Sequence, residues 1–64
     1  MKCFVIETRN GLYVALPQTI AGQKFPLSYL SERAATHFPF RAAAESSIKK
    51  YQLKNCEIKE TEIG

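Results

Sequence analysis

The sequence predicts a small α+β domain of ββ(α)αβ layout, with an N-terminal β-hairpin, one main helix packed on the sheet and a C-terminal strand. Three observations predict it: an Asn10-Gly11 pair between two alternating apolar runs, an apolar stripe at helical spacing after Pro39, and a second alternating run from Cys56. An Asn-Gly pair in that setting is the strongest short-range signal for a hairpin. Its loop length decides which side chains share a face. A two-residue turn at Asn10-Gly11 opposes Phe4 to Pro17 and Ile6 to Ala15. A three-residue loop, Arg9-Asn10-Gly11 with Gly11 left-handed in a bulge, instead gathers Phe4, Ile6, Leu12, Val14 and Leu16 on one face. The second register is preferred because it collects the larger groups. Cys3, Val5, Glu7, Tyr13 and Ala15 then occupy the opposite face.

The stretch from Pro17 to Pro26 shows no sustained period and reads as a loop pinned by Ile20 and Phe25, with a short edge strand over Lys24 to Leu27 as the alternative. Leu27 to Ala35 is ambiguous. Ser28 fits the cap of a short helix from Tyr29 to Ala35 with Leu30 and Ala34 on one side, but no Glu or Gln stands at the capping-box position. Phe38 precedes Pro39, which disfavours a helical conformation at Phe38.

The main helix is expected to begin at Pro39, where a missing N–H removes no helical bond. Phe40, Ala44, Ile48 and Tyr51 form its apolar stripe, and Ala42-Ala43-Ala44 permits close approach to strands. Glu45 and Lys49 form a favourable four-residue pair, Lys49, Lys50 and Lys54 match the carboxyl end of the helix dipole, and Asn55 is the expected stop. Cys56 to Ile63 reads as the last strand, an edge with Cys56 and Ile58 on one side and Glu57 and Lys59 on the other. Glu60 and Glu62 continue the Cys56-Ile58 side, so the strand is expected to leave the core near Lys59, with Gly64 frayed.

Sixty-four residues make one domain, 1–64, near the lower limit for independent folding, burying only about 60 % of the unfolded surface. A buried catalytic cleft with supporting contacts is hard to fit into so little structure, so a non-enzymatic role is expected. No apolar run is long enough to span a membrane and no signal peptide is indicated, which points to the cytoplasm. Cys3 and Cys56 lack the spacing of a metal knuckle or redox pair; a disulfide between them is sterically conceivable, but reduced thiols are expected there. With one histidine, no metal site and no cofactor are expected. His37 can be paired on paper with Ser28 or Ser31, yet the chain holds no Asp to orient an imidazole and no glycine-rich elbow. It reads as a boundary histidine before the helix.

The net charge of +3 is unevenly distributed: residues 1 to 56 carry eight Lys and Arg against three Glu, while the tail carries Glu57, Glu60 and Glu62 against one Lys. Arg9, Lys24, Arg41, Lys49, Lys50 and Lys54, with Tyr51 as a stacking ring, are the candidate nucleic-acid contacts. Helical angles argue against a clean patch, since Arg41 and Lys49 lie about 80° apart around the axis and Lys50 lies farther round. The second candidate surface is Val5, Tyr13 and Ala15. Left open by the helix, that face is a partner or homodimer interface; covered by the Ile20–Leu30 segment, it is the second half of a three-layer core.

The Asn10-Gly11 hairpin, the loop after it, Phe38 leading into Arg41-Ala42-Ala43-Ala44-Glu45-Ser46-Ser47-Ile48-Lys49-Lys50, and then Leu53 to Glu60, together resemble the small hairpin, helix, strand proteins encoded in bacteriophage and prophage accessory regions. The resemblance covers about half the chain. It is one of architecture and spacing, with Pro39-Phe40 in place of a polar helix cap and a longer middle loop. It implies a phage or bacterial setting and a binding role, and transfers no functional residues. The expected function is that of an interaction or regulatory protein that binds a protein partner, or a second copy of itself, through a strand edge or the Val5-Tyr13-Ala15 face. Weak nucleic-acid binding through the six basic residues is the alternative.

Overall fold

Gly11 is left-handed, with φ +80°, and Glu7 pairs with Tyr13 across the first turn, which is the register of the three-residue loop. The computed structural model describes residues 1–62. Within them β1 (Lys2–Thr8), β2 (Tyr13–Ala15), β3 (Gln18–Ile20), β4 (Gln23–Phe25), β5 (Ser28–Leu30), a 3-10 turn (Glu32–Ala34), α1 (Arg41–Lys50) and β6 (Cys56–Glu62) follow in chain order. They form an α+β fold with strands at both ends of the sequence. The four-stranded sheet has order β5-β2-β1-β6, and β3-β4 is a separate two-stranded ribbon. All pairings are antiparallel.

β1 is the spine of the sheet. It pairs with β6 from Lys2↔Glu62 to Thr8↔Cys56, whereas β2 stays beside it only near Glu7↔Tyr13 and then diverges. The gap that opens is filled by Thr36–Phe38. Thr36 N–H donates to the Val14 carbonyl at 3.2 Å and Thr36 Oγ1 accepts from Leu16 N–H at 2.8 Å. Two residues on, Phe38 and Phe4 exchange both backbone hydrogen bonds at 2.8 Å. Pro39 thus follows an extended residue, as its ring requires.

Alternation along the strands sorts the core into two layers. Ile6 and Val14 face α1 and pack with Phe38 and Ala44, surrounded by Phe4, Leu16, Leu27, Ile48, Leu53 and Ile58. The helix is shorter than the sequence suggests at both ends. Phe40 is its N-cap, extended and 69 % exposed, so this residue leaves the expected apolar stripe. At the other end Gln52, not Asn55, ends the helix. Gln52 is left-handed at φ +52°, Leu53 N–H donates to the Ile48 carbonyl at 2.9 Å and Gln52 N–H to that of Lys49 at 3.3 Å, a complete Schellman cap with Ile48 and Leu53 in the same cluster.

Further expectations are corrected. The middle segment is a hairpin, not a loop: Ile20 pairs with Gln23 around Ala21-Gly22, both left-handed, which is the two-residue turn that suits antiparallel strands. Ile20 and Phe25 stay exposed and do not pin it. The short helix at 28–35 is replaced by β5 and the 3-10 turn, because Tyr13–Ala15 needs a ladder partner on its outer side. Leu12, at the loop rim, is also exposed and does not join the apolar face. A Cys3–Cys56 disulfide is ruled out by register, since Cys3 pairs with Thr61 and Cys56 with Thr8. Five residues of strand, roughly 17 Å, separate them, and they point to opposite faces. The end of the predicted last strand at Ile63, and the fraying expected at Gly64, lie outside the described residues.

Candidate functional site

The face carrying Val5, Tyr13 and Ala15 is closed. These residues are 0 %, 9 % and 5 % exposed, and Val5 and Tyr13 pack against Ala35 beside the 3-10 turn. The reading of this face as an open interface is therefore replaced by the covered one. The cover is Ser31–Thr36, not the Ile20–Leu30 segment. A polar network fastens it. Tyr13 Oη donates to Glu7 Oε2 at 3.1 Å and accepts from Lys59 Nζ at 3.2 Å. Lys59 also pairs with Glu32 Oε1 at 3.4 Å, and Thr61 Oγ1 donates a short bond to Glu32 Oε2. The ammonium of Lys59 lies 5.5 Å from the Tyr13 ring centroid.

The Thr61 hydroxyl, helped by the Lys59 ammonium, holds the Glu32 carboxyl below its ordinary value. Hydrogen bonds to Tyr13 and Glu32 raise Lys59. For a carboxyl lowered by folding, the stabilising contribution is present above its unfolded pKa and is lost as pH falls through the folded one. Acidification below the usual carboxylate range is therefore expected to loosen the Ser31–Thr36 cover first. Amide protection factors at Ala35 and Thr36, corrected for the intrinsic pH dependence of the exchange rate and followed from neutral to acid pH, check this, with Glu32→Gln expected to show the loosened state already at neutral pH. Protection factors independent of pH and of Glu32 would rule it out.

Of the six basic candidates, Arg9 and Lys54 meet at one cavity of about 330 Å³, also lined by Thr8, Asn10, Leu12, Tyr29 and Asn55. Arg9 Nη2 donates to Asn55 Oδ1 at 3.4 Å and joins the first turn to the loop before β6. Lys24 lies instead on the β3-β4 ribbon, at a second cavity with Pro17, Gln18, Thr19, Phe25 and Pro26. Arg41 stacks its guanidinium 5.3 Å from the Phe4 ring at the start of α1, while Lys49 and Lys50 stand in its last turn with Lys50 over Tyr51. Ten helical residues set these ends roughly 13 Å apart. The structure brings together two of the six.

Tyr29, Leu12 and Asn55 are not among the functional residues that the sequence suggests. A signal for them exists: no acidic residue occurs between Glu7 and Glu32, so the first turn and the ribbon carry only positive charge and β5 carries none. β5 is an outer strand of the sheet, and its Tyr29 and Leu30 are 47 % and 41 % exposed. Thr8 N–H donates to the Leu12 carbonyl at 2.7 Å, so even positions of β2 direct their backbone to β1 and odd ones to β5. Leu30 and Ser28, opposite Tyr13 and Ala15, therefore face β2 with their backbone. The N–H and C=O of Tyr29 face away from the sheet.

Among the described residues no group of three or more His, Cys, Asp or Glu could hold a metal, and no helix is long and apolar enough to cross a membrane. Burial raises the Cys56 thiol above its ordinary value, which keeps it protonated at neutral pH. His37 is half-buried between Thr36 and Phe38, both tied to the sheet by backbone bonds. Comparison of the chain with protein-family models, with curated proteins and with solved structures finds no match.

Proposed function

We propose that this chain is a non-enzymatic interaction protein that captures an extended segment of a protein partner by strand addition at the free edge of β5. The observation that carries this reading is the pair of sheet edges. β6 presents Glu57, Lys59, Glu60 and Glu62, the charged dressing that blocks edge pairing, whereas β5 presents Ser28, Tyr29 and Leu30 with no charge and two exposed apolar side chains. Strand addition draws affinity from main-chain bonds, and the outward N–H and C=O of Tyr29 supply them. The setting proposed is the cytoplasm of a bacterial host, in a phage or prophage context, as the resemblance in layout implies. The nucleic-acid alternative has less support, because Lys24, Arg41, Lys49 and Lys50 stand away from the Arg9–Lys54 cavity.

Tyr29→Pro tests the edge directly. Proline removes an N–H that no ladder bond uses, and edge strands tolerate it at such positions. Immobilised wild-type protein is expected to retain a host protein that Tyr29→Pro does not, with the Tyr29 amide protected from exchange in the complex. Equal retention by both, or a Tyr29 amide left unprotected, overturns the reading.

A further inference from the structure

We infer that the segment captured at β5 is acidic, and that the cavity between the first turn and the β6 loop takes one of its carboxylate side chains. This rests on the strand-addition reading above and names the chemistry of the partner. Tyr29 is the residue that joins the two features. Its backbone faces the free edge, and its side chain, opposite Val14 on the helix-side face of the sheet, lines the cavity with Arg9 and Lys54. A strand added beside β5 lies about 4.8 Å away and sends alternate side chains to the same face as Tyr29. Those side chains reach the cavity mouth.

The lining selects their charge. It holds two cations, the amides of Asn10 and Asn55 and the hydroxyls of Thr8 and Tyr29, and no carboxylate. The guanidinium of Arg9 has five N–H donors, and the bond to Asn55 uses one and anchors it at the rim. A carboxylate entering this space forms charge-assisted hydrogen bonds, which are stronger than those of a neutral amide. The chain from Thr8 to Ser31 adds no acidic residue and the whole protein carries +3, while the carboxylates of Glu7 and Glu57 line a separate neighbouring cavity that shares Thr8, Arg9 and Asn55.

End-blocked, fluorescein-labelled hexapeptides of sequence Thr-Glu-Val-Glu-Val-Thr and Thr-Gln-Val-Gln-Val-Thr, followed by anisotropy at low salt, test the inference. The acidic peptide is expected to bind about tenfold more tightly than its neutral counterpart, an advantage lost on adding salt. Arg9→Ala and Lys54→Ala, both at exposed positions, are expected to remove the advantage while leaving the circular dichroism spectrum unchanged. Tyr29→Pro is expected to abolish binding of both peptides. Equal binding of the two peptides, sensitive to Tyr29→Pro, overturns the acidic partner and leaves strand addition standing. Binding insensitive to Tyr29→Pro overturns both. A single-stranded oligonucleotide that binds where the acidic peptide does not assigns the cavity to nucleic acid, and a dimer in sedimentation that Tyr29→Pro dissociates assigns the edge to a second copy; either result overturns the inference.

Discussion

Phe38→Ala is expected to leave much of the chain unfolded at 25 °C. Phe38 is 5 % exposed and packs with Ile6, Val14 and Ala44, while its backbone fills the place beside β1 that β2 vacates. Truncating a buried phenylalanine costs about 3–5 kcal/mol through lost transfer energy and the cavity left behind. Domains of this size have a total stability of roughly 3–10 kcal/mol, by the usual figure per residue. The substitution therefore removes a large share of what holds the fold. Phe38→Leu, which keeps most of the apolar volume, is expected to cost less than about 1.5 kcal/mol. Urea unfolding followed by far-UV circular dichroism measures both. A loss under about 1 kcal/mol for Phe38→Ala would mean the ring is not a core member.

The role of Phe38 shows where the sequence is legible and where it is not. Gly11 announces both the first hairpin and its register, because only one loop length lets a left-handed glycine gather the large groups of β1 and β2 on one face. The helix is legible from its stripe. Its end is not, since the left-handed position falls on Gln52, a residue with no special preference for it, while Asn55, also left-handed at φ +58°, lies in the loop beyond. The ribbon is hidden for a related reason. Ala21 takes the first left-handed position of its turn, where a side chain costs about 1–2 kcal/mol, so the usual Asn-Gly cue is missing. Three-residue strands such as β5 are too short for a period of two to register. Leu30 and Ala34, four residues apart behind Ser28 at a cap position, even mimic a helix, and the open side of β2 overrides it.

The candidate site divides in the same way. Arg9 and Lys54 are visible as charges in a basic chain, but their meeting depends on the β1–β6 pairing, which sets the loop before Cys56 beside the first turn. The pairing follows from long-range packing rather than from any local pattern. The Val5-Tyr13-Ala15 face is the opposite case. Its membership is legible from alternation, and its fate is not, because the cover comes from Ser31–Thr36, a segment with little periodicity of its own.

Tyr13 decides between the two fates of that face. On an open face, Tyr13→Glu would leave the fold intact and abolish association; on the closed face it places a carboxylate against Val5 and Ala35, with Glu7 and Glu32 as neighbours of the same charge. The cation beside it, Lys59, is already paired with Glu32, so the new carboxylate competes for a shared ammonium while being taken out of water, and the lost ring contacts add to the cost. Tyr13→Glu is therefore expected to cost about 3 kcal/mol or more, with cooperative thermal unfolding weakened or lost. Tyr13→Phe keeps the ring against Ala35 but removes the hydroxyl that accepts from Lys59 and donates to Glu7. It is expected to cost about 1 kcal/mol, the usual net worth of such hydrogen bonds. Lys59 and Glu32 stay paired in Tyr13→Phe, so the acid loosening of the Ser31–Thr36 cover is expected to persist in it. A Tyr13→Glu protein that melts like the wild type would show the face to be open, and would return Val5, Tyr13 and Ala15 to the list of partner contacts.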